Sequence, residues 1–140
     1  MTIQTKKKPI SDRYLDLVQQ FPLRPIRSDS DLNRAIGVID TLIDRKRLQR
    51  GEKDYLDVLS DLVQRYETEY HPIPPLPDGE LLQHLIETHG TTQVEVARQA
   101  KIAESTISEV IAGKRKLSRI HIGKLARHFG VPHAAFSPDG

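Results

Sequence analysis

The sequence has no cysteine, few aromatic residues and no long apolar run, and each absence excludes a class of protein. Without cysteine there are no disulfides, no cysteine nucleophile and no thiolate zinc site. Aromatic residues make up only 5% of the chain, so we expect an aliphatic core and no stacking platform for single-stranded nucleic acid. No stretch approaches the roughly 18 apolar residues of a membrane span, and the basic start leads into no apolar segment. We therefore expect a cytoplasmic protein with no signal peptide, anchor or membrane partner.

The charge balance alone does not indicate nucleic-acid binding. The formal net charge is only +2. Lys and Arg balance Asp and Glu over residues 1–78, so the whole surplus lies in residues 79–140. Five of the six histidines also lie in the second half, and they would add positive charge below about pH 6.5. The positions of the charges must therefore decide the matter.

Four prolines between His71 and Pro77 predict the main boundary of the chain. They forbid a helix and favour the extended polyproline II conformation, which makes a semi-rigid spacer. We interpret this segment as a linker rather than a recognition motif. The predicted parts are a tail with a short helix (1–27), a helical hairpin (28–70), the linker (71–77) and a second domain (78–140).

Apolar residues recur at helical spacing before the linker. Ser28 is the expected N-cap of one helix, Gly51 is expected to break it, and a second helix should run from Glu52 to about Tyr70. A shorter amphipathic helix is expected from Ser11 to Gln20. Two or three short helices make a thin core, so we expect this half to gain burial from a partner chain.

Helix start and stop signals follow one another closely after the linker. Thr92 and Glu95 have the spacing of a capping box, and glycines are placed where helices should end. The expected elements are a first helix capped by Asp78 and ended by Gly90, a second from Gln93 to about Ala100, a turn at 101–103, a third from Glu104 to Ala112 closed by Gly113, and a last one capped by Ser118.

The spacing of the second and third helices is typical of a helix-turn-helix unit. The small Ala97 lets the helices cross closely, while Ile102 and Ile107 fill the wedge between them. The third helix then leaves a short polar face for the major groove, where base edges offer donors and acceptors. The predicted outward residues are Glu104, Ser105, Thr106, Ser108 and Glu109. Lys114–Lys116 directly follow and suit a neighbouring phosphate strand.

The segment TQVEVARQAKIAESTISEVIAGKR at 92–115 resembles the Cro/CI-type, lambda repressor-like helix-turn-helix family over about residues 79–136. Within it, ISEVIAGKRKLS at 107–118, KLARHFGVP at 124–132 and DYLDVLSDLVQRYE at 54–67 resemble HigA-type antitoxins, which extends the resemblance to about residues 29–136. The resemblance implies an all-α fold, with an N-terminal helical hairpin followed by a five-helix helix-turn-helix domain.

The resemblance also implies which residues touch DNA. Gln93 would contact the backbone, and the exposed residues of the third helix would approach bases. The full candidate set is Thr92, Gln93, Glu104, Ser105, Thr106, Ser108, Glu109, Lys114, Arg115 and Lys116. Position 101 is usually a left-handed glycine in this family, so Lys101 must accept that conformation at a cost of roughly 1 kcal/mol or alter the turn. Glu104 and Glu109 either accept from cytosine N4 or turn away from DNA.

The implied function is a homodimeric transcriptional regulator that binds a palindromic operator. As the antitoxin of a HigBA-like type II system, it would neutralise an mRNA-cleaving HigB-like toxin and repress its own operon. The N-terminal half would carry the toxin contact or the dimer interface. The expected location is the cytoplasm, on the nucleoid when DNA is bound. The alternatives are a stand-alone repressor and, in the enzyme class, a nuclease or hydrolase.

Several residues are of types found in metal or catalytic sites, but their spacing in the sequence does not fit such a site. His84 and His89, like His128 and His133, are five residues apart, whereas a helical metal pair needs three or four. Asp57 and Asp61 fit an outward acidic face, and Ser108 lacks a nucleophile elbow. We expect no enzyme, metal or cofactor. Lys6–Lys8 is interpreted as a solvated tail, with a DNA-backbone arm as the alternative.

Overall fold

The computed structural model describes residues 12–137, which form seven α-helices, no β-strand and one short 3-10 helix. The predicted all-α class is confirmed. The predictions for Lys6–Lys8 and for a helix start at Ser11 lie outside the described residues. The helices are α1 (Arg13–Gln20), α2 (Asp29–Ile43), α3 (Arg50–Tyr70), α4 (Asp78–Thr88), α5 (Gln93–Ala100), α6 (Glu104–Ile111) and α7 (Arg119–Phe129), and the 3-10 helix is His133–Ala135.

Helices α2 and α3 form the predicted hairpin, and α1 packs on α3. Ser28 caps α2 as expected, because its hydroxyl accepts from the Asp31 amide at 3.0 Å. The prediction that Gly51 ends the first helix of the hairpin was wrong, since α2 already ends at Ile43 and Gly51 lies in the first turn of α3. Gly51 instead permits close packing: a Cβ there would come within 2.7 Å of the Tyr14 amide nitrogen of α1.

The core of the N-terminal half is mainly aliphatic, with one tyrosine at its centre. Ile39, Tyr55 and Val63 are completely buried. The Tyr55 hydroxyl donates to the Phe21 carbonyl at 2.6 Å, which ties the segment after α1 to α3. Burial raises the pKa of Tyr55 to about 12, so the phenol remains a hydrogen-bond donor at every pH of interest.

Residues 72–77 after α3 form neither helix nor strand and are exposed, and they lead directly into α4. Pro77 has φ −57° and ψ 146°, which are polyproline II values. The prediction that Asp78 caps α4 was wrong, because Pro77 holds the cap position and Asp78 is the first helical residue. The Asp78 side chain is buried and accepts from the Ser137 amide at 2.9 Å. Burial raises the pKa of this carboxyl.

Helices α4 to α7 enclose a second apolar core. Its completely buried members include Leu82, Val96, Ile107 and Leu125, and Phe136 closes one end. Gly79 of α4 lies directly against the end of α6: a Cβ there would come within 2.5 Å of the Val110 carbonyl oxygen. The C-terminal end of α6 is therefore held by backbone packing that permits no side chain at position 79.

The turn between α5 and α6 takes the glycine-like conformation without a glycine. Lys101 has φ 59° and ψ 50°, and it is the one non-glycine residue with positive φ among residues 12–137. Lys101 thus accepts the left-handed conformation, at a cost of roughly 1 kcal/mol. The Ile102 amide donates to the Ala97 carbonyl at 3.0 Å, and the Lys124 ammonium donates to the Lys101 carbonyl at 3.0 Å. These bonds offset the backbone strain.

The two halves of the chain pack against each other through α2 and α7. Gly123 of α7 is buried on Ile43 of α2, where an added Cβ would lie 3.0 Å from the Ile43 Cδ1 atom. Beside it, the Arg127 guanidinium donates two hydrogen bonds to the Asp44 carboxylate, at 2.8 and 3.1 Å. This ion pair is exposed, and such pairs contribute less than about 1 kcal/mol. The apolar contact therefore dominates at this point.

A second interdomain contact joins α3 to the 3-10 helix. The buried Glu67 carboxylate accepts from the Ala134 amide at 2.8 Å. Gln64 donates to the carbonyls of His133 and Phe136 at 3.2 and 3.3 Å. Burial raises the pKa of Glu67, since the backbone hydrogen bonds that its carboxylate accepts only partly replace its hydration. Part of the surface that we expected a partner chain to cover is thus covered by the chain's own C-terminal half.

Because His133 is buried, we expect the free energy of unfolding to depend on pH. Burial, with Arg119 nearby, lowers the pKa of His133 to about 4. Its folded pKa lies below its unfolded value of about 6.5, so only the unfolded chain gains a proton between these values, and stability falls as pH falls. We expect His133 to account for roughly 2 kcal/mol of the stability lost between pH 7 and pH 5. Urea denaturation of wild type and His133→Leu measures this difference.

The matched control is His84→Leu, because His84 is exposed on α4. It should retain the wild-type loss of stability over the same pH range. An equal pH dependence in His133→Leu and wild type would contradict the assignment.

Candidate DNA-binding surface

The N-terminal end of α5 is formed by Thr92 and Gln93. The Thr92 hydroxyl accepts from the Glu95 amide at 3.1 Å, so Thr92 is the N-cap as predicted. The reciprocal half of the capping box is absent from the described hydrogen bonds, because the Glu95 carboxylate bonds Arg98 and Gln99 instead. Gln93 is partly exposed and makes no side-chain hydrogen bond within residues 12–137. Its amide is therefore free to meet a ligand.

Helix α6 separates an apolar face from a polar face. Ile107 and Val110 are buried in the core, whereas Glu104, Ser105, Ser108 and Glu109 are exposed. Eight residues of α-helix are about 12 Å long. The polar face therefore has the length and side-chain size of a short element that fits the major groove.

The prediction that Thr106 faces outward was wrong. Thr106 is only 4% exposed. Thr106 lies one helical turn before Val110 and next to Ile107, so it shares their buried face of α6. Its polarity suggested the surface, but its angular position on the helix decided the burial. Thr106 thus does not belong to the exposed polar face of α6.

Glu109 is not an isolated negative charge on that face. Arg115 lies 3.3 Å from its carboxylate, and both side chains are about half exposed. This ion pair partly neutralises the Glu109 charge. It also occupies the Arg115 guanidinium, which we predicted to contact phosphate. Glu104 forms no ion pair among the described residues and retains its negative charge at the start of α6.

The basic segment after α6 is placed by a left-handed glycine. Gly113 has φ 76°, and the Lys114 amide donates to the Glu109 carbonyl at 2.8 Å. The chain thereby turns back at the end of α6 and leaves Lys114 and Lys116 exposed beside its polar face. A phosphate strand next to the helix would meet these two cations first.

Sequence reasoning missed the contribution of the N-terminal half to this surface. Four cations lie within residues 45–50, namely Arg45, Lys46, Arg47 and Arg50, and all are exposed. Packing of α2 on α7 places this segment near the turn between α5 and α6. The local charge density was visible in the sequence, whereas its position beside the helix-turn-helix unit was not.

No group of three or more His, Asp or Glu in residues 12–137 is arranged to hold a metal ion. None of the helices in that range combines the length and apolar character that crossing a bilayer requires.

Two family models match the chain, and together they cover both halves. One is described as "HigA antitoxin, N-terminal domain" and matches residues 6–74, and the other is described as "Helix-turn-helix" and matches residues 82–136. These are families of antitoxins and DNA-binding regulators, which are not enzymes. No curated protein and no solved structure matches the chain significantly. The chain thus joins a segment that matches a HigA antitoxin N-terminal domain to one that matches a Cro/CI-type helix-turn-helix domain, and this combination matches a HigA-type antitoxin.

Proposed function

We propose that the protein is a sequence-specific transcriptional regulator whose α6 reads operator DNA in the major groove. The supporting observation is the two-faced α6, which is anchored by Ile107 and Val110 and exposes Ser105 and Ser108. Their hydroxyls can donate to and accept from base edges. Gln93 at one side and Lys114 at the other would fix the helix against the phosphates.

The regulator would act as a homodimer. One helix of eight residues reaches only a few base pairs, so tight binding requires two half-sites about one helical turn apart. Several large apolar side chains remain exposed and are candidates for contact with a second copy or another protein, namely Leu15, Val58, Tyr70, Ile73, Leu76 and Val94.

The N-terminal half would act on a toxin. Its match to an antitoxin domain supports this assignment, as does an open groove of about 370 Å³ whose lining includes Phe21, Ile26 and Leu59. In this proposal the hairpin at residues 28–70 binds an mRNA-cleaving toxin encoded beside this protein, and residues 78–140 repress the shared operon. Both activities belong to the cytoplasm.

Replacing Lys114 and Lys116 with alanine should weaken binding to every DNA sequence. Each lost phosphate contact lowers the slope of log affinity against log salt by about 0.9, so we expect the double variant to lower it by roughly 1 to 2. Fluorescence anisotropy at several salt concentrations measures the slope. Lys53→Ala/Arg65→Ala on α3 removes the same charge and should leave the slope unchanged. Equal slopes for Lys114→Ala/Lys116→Ala and wild type would remove these residues from the contact surface.

Replacing Ser105 or Ser108 with alanine should change which bases are preferred, because each hydroxyl lies on the exposed face of α6. Selection from a random duplex library should show relaxed preference at one position in each half-site. Thr106→Val is the matched control: it alters a buried position, so we expect altered stability and an unaltered base preference. Unchanged preferences in both serine variants would argue that another surface reads the bases.

Coexpression tests the antitoxin role. We expect the small open reading frame beside this gene to arrest growth when expressed alone, and to lose that effect when this protein is supplied. A harmless neighbour, or one that stays toxic in the presence of this protein, would leave a stand-alone repressor. Lys114→Ala/Lys116→Ala provides an internal control, since it should lose repression while retaining neutralisation.

A further inference from the structure

An open basic cleft of about 630 Å³ lies where the N-terminal half meets the helix-turn-helix unit. One wall is the end of α2 and the residues after it, and the other is the α5–α6 turn with α7. Its charged lining consists of Asp44, Arg45, Lys46, Lys101, Lys124 and Arg127. Five cations therefore surround a single carboxylate.

Some cations of this cleft form ion pairs and others do not. Arg127 is held by Asp44, and Arg45 donates to the buried carboxylate of Glu52. Lys46 and Lys101 form no ion pair among residues 12–137. The pKa of Asp44 lies below its usual value, first because Arg127 donates to it and further because Lys101 and Lys124 are close. The cleft therefore retains positive charge that its own acidic residue does not neutralise.

The cleft lies next to the start of α6. Lys101 precedes Glu104 by three residues, so their Cα atoms are at most roughly 11 Å apart. Lys114 and Lys116 follow the other end of α6. The 12 Å helix is thus bracketed by cations at both ends, which suits a helix set between two phosphate strands across a major groove about 12 Å wide.

The position of the basic segment after α2 is fixed by the fold. Ile43 is buried against Gly123, and Asp44 is bound twice by Arg127. Lys46 is therefore held beside Lys101 of the helix-turn-helix unit, although 55 residues separate the two in sequence, and Arg47 is the next residue along the chain. Their side chains remain exposed.

We propose that Lys46 and Arg47 of the N-terminal half, with Lys101, form a second phosphate-binding surface that contacts the DNA backbone beside the start of α6. This proposal rests on the proposed DNA binding through α6 and extends it to the antitoxin half of the chain. The contact is independent of sequence, so it adds affinity and orients the protein without reading bases.

The test compares wild type with Lys46→Ala/Arg47→Ala on a duplex of about 40 base pairs selected from a random library. We expect the salt slope to fall by roughly 1 to 2. In phosphate ethylation interference, one or two phosphates in each half-site should stop interfering, and they should differ from those that Lys114→Ala/Lys116→Ala affects. Arg24→Ala/Arg27→Ala removes the same charge from the other groove of the N-terminal half and should change neither readout. Thermal melting shows that each variant is folded.

The outcomes are distinct. If folded wild type binds no duplex, the proposed function fails and this contact fails with it. If wild type binds and Lys46→Ala/Arg47→Ala keeps both the slope and the interference pattern, the second surface is overturned while DNA binding through α6 stands. A lower slope with an unchanged interference pattern also overturns it, because the cleft would then act at long range or hold a small phosphate-bearing anion.

Discussion

The arrangement of the whole chain depends on the packing of the α2–α3 hairpin against α7 and the 3-10 helix. At one point Ile43 fills the space left by Gly123. At the other, the buried Glu67 carboxylate accepts from the Ala134 amide. The second contact is sensitive to disruption, because a buried carboxylate that lost this donor would keep less compensation for its desolvation. These contacts hold the two halves in one orientation, and the exposed Asp44–Arg127 pair contributes little by comparison.

This packing gives the short connection at residues 72–77 a secondary role. An exposed polyproline segment limits the distance between two domains, but it does not set their angle. Here the angle is set by contacts between residues far apart in sequence, such as the hydrogen bond from the Gln64 side chain to the His133 carbonyl. A protein bound to the hairpin would therefore be held in a fixed position relative to α6.

The electrostatics of α6 follow from its neighbours. A helix that exposes Glu104 and Glu109 would by itself repel phosphate. Arg115 partly neutralises Glu109, Lys114 and Lys116 lie beyond one end, and Lys101 precedes the other. In the proposed DNA complex, the cations at the ends of α6 would supply affinity for phosphates, and its polar face would supply selectivity in the groove. In the proposed regulator, the carboxylates would penalise sites that offer no donor, such as cytosine N4, opposite them.

The sequence by itself determined the local structure and the family of each half. Ser28, Thr92, Gly113 and Ser118 mark helix ends because capping and left-handed backbone are local requirements that particular side chains satisfy. Periodicity located the aliphatic cores for the same reason. The helix-break and capping signals were wrong at Gly51 and Asp78, where contacts with distant elements overrode the residue's own preference. Polarity was wrong at Thr106, because its position on the buried face of α6 decided its burial. Only the tertiary structure decided that α2 packs on α7, that Glu67 reaches Ala134, and that Lys46 lies beside the turn at Lys101. These contacts join residues 55 or more positions apart, and no spacing rule links such residues, because their approach depends on the packing of all the helices together.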